Sequence, residues 1–305
     1  MNTINMKKST TIFFLLLVSH YAFAQKEDFS FHDGENYKLA QFRFWNPNVN
    51  DDYKGILVLT PGINRDGREA VLDTVWQKFA TKHNLIIVAS HFKSYPKKEG
   101  RPPYYQASEG SGNILLTSIE KYSKEISNKN ILQLPLLLYG FSAGGQFNYE
   151  FASWKPEKVI SFVVNKGGYY STAITSKETQ KVPGIFIIGE NDLYYRNNLI
   201  LGIYSSNRSQ GAIWTLITEK ETKHTPKNSK ALSISFFESI MPKRLSDNKL
   251  IDIKSSNPIL GFPDRKTVKF FTEINKTDFN KWGKLKRLTI WLPDERFGDI
   301  WLHSL

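Results

Sequence analysis

Short apolar runs alternate along the chain with segments of helical period, the pattern of a mostly parallel sheet covered by helices. The strand candidates are YKLAQFRFW (37–45), GILVLT (55–60), LIIVAS (85–90), PLLLYG (135–140), VISFVVN (159–165), GIFIIG (184–189) and AIWTLIT (212–218). Between them, Leu72, Trp76 and Phe79 recur at helical spacing, as do Leu115, Ile119 and Tyr122, and then Phe147, Phe151 and Trp154. A further helix is predicted from about Ser229 to Met241, where Pro242 should stop it. The last helix is predicted to start at Pro293, with Asp294 and Glu295 in its first turn and Phe297 and Trp301 facing inward. The stretch from Ser246 to Arg287 has mixed charges and a Gly261-Phe262-Pro263 step, and reads as loops with short elements of their own.

The N-terminus adds an expectation about location. Lys7 and Lys8 precede the apolar TIFFLLLVSHYAFA, and Ala22-Phe23-Ala24 fits small-x-small cleavage, so residues 1–24 read as a secretory signal. The mature chain is then expected to begin near Gln25, periplasmic or extracellular, with 25–305 as one α/β domain. No later stretch approaches the 18 apolar residues of a membrane span. The 305 residues contain no cysteine, which excludes a disulfide scaffold and a lipid anchor on a cysteine. The formal charge is +12, and loss of Lys7 and Lys8 lowers it to +10. The lysines are scattered, with no basic and aromatic stripe, so the excess reads as a solvated surface and not a nucleic-acid site. Oligomeric state is not readable.

Chemistry concentrates in LLLYGFSAGG (136–145). Gly140-Phe141-Ser142-Ala143-Gly144 is a G-x-S-x-G between an apolar strand and an amphipathic helix. In that setting the glycines permit a sharp turn that projects the Ser142 hydroxyl at the top of the sheet. A hydroxyl is a poor nucleophile at neutral pH and requires a base, which in turn requires an orienting group. On such an elbow the chain order is serine, acid, histidine. Asp192 follows the strand GIFIIG and is the favoured acid, with Glu190 as its competitor nearer the strand end. After Asp192 only His224 and His303 remain, and His224 lies between a strand and a helix, where a base belongs. His91, just after a strand, could line the pocket. Two N–H donors are needed for an oxyanion. Ala143, next to the nucleophile, is one, and Ile63, beyond the strand-ending Pro61-Gly62, is the other.

On these residues the chain resembles the α/β-hydrolase superfamily, nearest to secreted esterases of the feruloyl esterase and polyhydroxybutyrate depolymerase type. The resemblance spans roughly 37–241 and implies a mostly parallel central sheet flanked by helices. It also implies Ser142 as nucleophile, Asp192 as acid, His224 as base, and Ile63 and Ala143 as oxyanion amides. Pro61 departs from it, standing where many members have a histidine, as does the absence of cysteine. Only about 18 residues separate VISFVVN from GIFIIG, where lidded lipases insert a cap, so no large lid is expected. The expected activity is hydrolysis of carboxylic esters, small or linked to polysaccharide, through an acyl-enzyme, with no cofactor and no metal. A peptidase of the same fold, or a non-catalytic binding protein retaining it, is the alternative. The loop from His91 to Gly110 carries Phe92, Tyr95, Tyr104 and Tyr105, aromatics that either line an acyl pocket or pack the loop down.

Overall fold

A computed structural model describes residues 27–47, 52–246, 249–253, 259–263, 270–276 and 279–304. The leader and its cleavage site lie outside the described residues. The central sheet has eight strands in the order β1-β2-β4-β3-β5-β6-β7-β8. Its members are β1 (Glu27–His32), β2 (Leu39–Trp45), β3 (Gly55–Thr60), β4 (Leu85–Lys93), β5 (Leu136–Gly140), β6 (Val159–Asn165), β7 (Gly184–Gly189) and β8 (Trp214–Glu219). From β4 to β8 every neighbouring pair is parallel, whereas β1–β2 and β2–β4 are antiparallel. The helices between them are α1 (Thr74–Lys82), α2 (Ser111–Glu125), α3 (Ala143–Trp154), α4 (Lys177–Gln180), α5 (Tyr194–Arg208), α6 (Ser229–Arg244) and α7 (Glu295–His303). Every residue of β3, β6 and β7 is buried, because both faces of the parallel sheet are covered. β2 alternates instead, with Ala40, Phe42 and Phe44 inward, since it sits near the sheet's edge. Among the described residues no helix is long and apolar enough to cross a membrane.

The structure corrects several boundaries. β1 is an additional edge strand that the sequence reading did not anticipate, and β4 continues to Lys93. Leu72 does not belong to the buried face of α1: it lies in a preceding 3-10 turn (Arg68–Leu72) and is exposed. The helix begins only after Asp73, whose carboxylate accepts from the Val75 and Trp76 N–H groups as an N-cap. Pro242 does not stop α6, which runs to Arg244. A proline one turn from the end removes a single helical donor, and Lys243 Nζ bonds the Ser239 carbonyl at 2.9 Å. α7 starts at Glu295 and not at Pro293, because Asp294 is its cap and accepts from the Phe297 N–H at 2.9 Å.

The stretch from Ser246 onward holds more strand than expected. After a ribbon of β9 (Leu245–Ser246) and β10 (Lys249–Leu250) comes a three-stranded antiparallel sheet of β11 (Ile259–Pro263), β12 (Phe270–Lys276) and β13 (Ile290–Leu292), in the order β12-β11-β13. This sheet and α7 pack beside β8, the outer parallel strand, which would otherwise present an open edge. Thr215 Oγ1 donates to the Trp291 carbonyl at 2.6 Å, and Trp301 Nε1 to the Leu216 carbonyl at 2.8 Å. Trp301 is fully buried, and its ring fills the space over Gly261, where a Cβ would come within 2.5 Å of it. Trp301→Ala would remove that packing and the hydrogen bond to the Leu216 carbonyl. A loss of about 3–5 kcal/mol is expected in urea unfolding. A loss below about 1 kcal/mol, as at surface sites, would show that α7 is only draped on the domain.

Candidate active site

The carboxyl ends of β3, β5, β6, β7 and β8 share one edge of the sheet, and the loops that leave them carry Ile63, Ser142, Lys166, Asp192 and His224. Ser142 occupies the turn between β5 and α3 with φ 54° and ψ −120°, a conformation that L residues rarely hold. It survives because its neighbours are small. A Cβ on Gly140 would lie 2.3 Å from the Gly144 backbone, and one on Gly144 would lie 2.0 Å from the Thr60 carbonyl oxygen. The turn is pinned by the Ser142 N–H, which donates to the Asn165 carbonyl of β6 at 2.8 Å.

Three side chains meet there. His224 Nε2 is 3.0 Å from Ser142 Oγ, and His224 Nδ1 is 2.7 Å from Asp192 Oδ2. With Nδ1–H donating to the carboxylate, Nε2 is left as acceptor for the hydroxyl proton. The imidazole leans on the Phe141 ring, with centroids 4.9 Å apart. Asp192 Oδ1 accepts from its neighbour, the Leu193 N–H, at 2.7 Å and from Arg196 Nη1 at 3.2 Å. Burial works to raise the Asp192 pKa, but the hydrogen bonds from His224 and Leu193 and the charges of His224 and Arg196 outweigh it. The carboxyl is held below its usual range and stays ionised.

Ala143 is the first residue of α3, so its N–H has no partner within the helix and the helix dipole adds to its pull on an anion. Gly62 lies against the serine, since a Cβ there would sit 3.6 Å from Ser142 Cβ. Ile63 follows it and is exposed. The loop carrying both is folded tightly: the Arg65 N–H donates to the Gly62 carbonyl at 3.1 Å, and the Gly67 N–H to the Ser90 carbonyl at 3.1 Å.

The competing residues are engaged elsewhere. Glu190 Oε2 accepts from the Glu221 N–H at 2.8 Å. His303 is exposed on α7 with Nδ1 2.7 Å from the Asp299 carbonyl. His91 is buried with Nδ1 2.9 Å from Gln41 Oε1. Phe92 and Tyr104 are buried and stacked, with centroids 5.0 Å apart, so they pack their loop down. Tyr105 is half-buried and leans on the exposed Tyr169.

Two further groups at the site were not singled out from the sequence. Lys166, next after β6, is fully buried at φ 53° and forms an ion pair with the buried Glu219 at the end of β8. Burial pushes the Lys166 ammonium down and the Glu219 carboxylate opposes it. Glu219 Oε1 also accepts from the Asn228 N–H at 2.7 Å, so the pair clamps the far end of the His224 loop. The other group is Arg196, in the first turn of α5, with its side chain 23% exposed.

No family model matches the chain, and no curated protein does. Solved structures with the same architecture are numerous. A poly(3-hydroxybutyrate) depolymerase of Bordetella parapertussis superposes with a TM-score of 0.50 at 15% identity, over 73% of this chain and 92% of that one. An S-formylglutathione hydrolase of Agrobacterium tumefaciens gives 0.50 at 11% identity, over 70% and 94%. A ferulic acid esterase gives 0.50 at 9%, over 71% and 96%. The mostly parallel eight-stranded sheet with its covering helices superposes on these neighbours, and the chain therefore has the α/β-hydrolase fold.

Proposed function

We propose that the protein is a serine hydrolase that cleaves carboxylic esters. The observation that carries this reading is the hydrogen-bonded row of Ser142, His224 and Asp192 on the strained turn before α3. Ser142 Oγ attacks the ester carbonyl while its proton passes to His224 Nε2. The N–H groups of Ala143 and Ile63 face the resulting oxyanion. His224 then protonates the departing alcohol, and water repeats the sequence on the acyl-enzyme to release the acid. Asp192 orients the imidazole and stabilises its protonated form.

The connection from β6 to β7 spans residues 166–183 and contains only the four-residue α4, which supports an open site without a large cap. Exposed Ile63, Tyr169 and Leu193 on the loops at this edge support an apolar or aromatic approach to the serine. Short acyl or aromatic acyl esters, free or borne by a polysaccharide, fit this arrangement better than long lipid chains. The leader read in residues 1–24 would place the reaction outside the cytoplasm. A fluorophosphonate probe should label the wild type and fail on Ser142→Ala. A series of nitrophenyl esters should show hydrolysis falling as the acyl chain lengthens. No labelling would overturn the serine chemistry; preference for long chains or for a peptide amide would overturn the substrate class.

A further inference from the structure

Asp192 receives more than a triad acid requires. One oxygen, Oδ2, serves His224, and the Leu193 N–H already satisfies the other at 2.7 Å. The guanidinium of Arg196 adds a third contact at 3.2 Å on Oδ1. Its place is built: the side chain lies across Gly168, where a Cβ would come within 3.0 Å of Arg196 Cγ and Nε, and the guanidinium stands 5.5 Å from the Tyr195 ring. A side chain at position 168 would press on the arginine, which would have to give by a few tenths of an ångström.

Among the described residues, Arg196 is the cation that hydrogen-bonds Asp192 directly. On the β6 side Lys166 is paired with Glu219 of β8, and its charge also acts on Asp192, without a hydrogen bond to it. On the His224 loop itself, Lys223 is exposed beside the histidine, and Lys227 acts on Lys166 and donates to the Lys220 carbonyl at 3.3 Å. Glu190, beyond β7, accepts from the Glu221 N–H. From the turn before α3 the groups that meet the imidazole are the Ser142 hydroxyl and the Phe141 ring, neither charged near neutral pH. We propose that Arg196 is a positioning residue: it fixes Asp192 so that Oδ2 faces His224, and its permanent positive charge opposes a second positive charge on the imidazole.

This rests on the serine-hydrolase reading above. The test is the pH profile of kcat/KM on a nitrophenyl ester for wild type, Arg196→Gln and Arg196→Lys. Glutamine can still donate to Oδ1 but carries no charge. Its acidic limb should move to higher pH by about half to one unit, with the plateau reduced less than about tenfold. Lysine should keep the wild-type limb. Because the arginine is partly exposed, added salt should move the wild-type limb in the same direction and leave that of Arg196→Gln nearly unchanged. A merely structural role would lower stability or the plateau and leave the limb where it was, and that result overturns the proposal. Fluorophosphonate labelling of wild type, lost in Ser142→Ala, separates the two failures. If labelling is absent the hydrolase reading fails; if it is present and the limb does not respond to Arg196→Gln, only the role of Arg196 fails.

Discussion

On the proposed triad, His224→Ala is expected to lower kcat by about four to six powers of ten, as far as Ser142→Ala does, because members of a triad act as a unit. The imidazole bridges the other two side chains at 3.0 and 2.7 Å, and no other described histidine touches either of them. The Ser142→Ala/His224→Ala double variant should therefore be scarcely worse than either single one. His303→Ala is the control: its ring is exposed on the last turn of α7 and bonds only its own helix, so activity and stability should stay near wild type. Turnover of a short nitrophenyl ester, with the fold checked by circular dichroism, measures all four proteins. An active His224→Ala beside an inactive His303→Ala would place the base on the other histidine and dissolve the site.

The strands of the parallel core were legible because burial on both faces leaves an unbroken apolar run, as in VISFVVN and GIFIIG. β1, EDFSFH, carries only a short alternation of Phe29 and Phe31 with exposed Asp28 and Ser30, and its pairing with β2 fixes it as a strand. β11 to β13 were harder still, because a small sheet at the margin needs only short segments and tolerates Gly261 and Pro263 within one of them. The ends of α6 and α7 moved because local signals yielded to specific partners. Pro242 sits where little of the helix remains to be broken, and Asp294 caps a helix that it was expected to join.

At the site, Ser142, Asp192 and His224 could be singled out because each follows an apolar strand and their order is informative. Lys166, Glu219 and Arg196 could not. A charged residue in a loop is ordinarily solvated, and nothing in VVNKGG marks Lys166 as fully buried. Its partner lies 53 residues away, so the pairing exists only once the sheet has aligned the ends of β6 and β8. Arg196 offered a faint cue, standing four residues after Asp192, the spacing at which an acid and a base can meet on one helical turn.

That same environment makes Asp192→Asn the other large effect. The Oδ1 position faces two donors, the Leu193 N–H and Arg196 Nη1, so the asparagine oxygen has to stay there and its amide nitrogen has to face His224 Nδ1. Two donors cannot share a hydrogen bond, so Nδ1 must become the acceptor and the ring proton moves to Nε2. Nε2 then points a proton at Ser142 Oγ and cannot accept one. The expected loss in kcat is about four powers of ten, with little change in thermal stability because the Leu193 N–H keeps its partner. Arg196→Gln in the same background should recover little, since the Leu193 N–H alone still holds the amide oxygen in place. An Asp192→Asn enzyme within about tenfold of wild type would mean that the imidazole does not depend on this carboxylate for its tautomer, and a different residue would have to be sought as the acid of the triad.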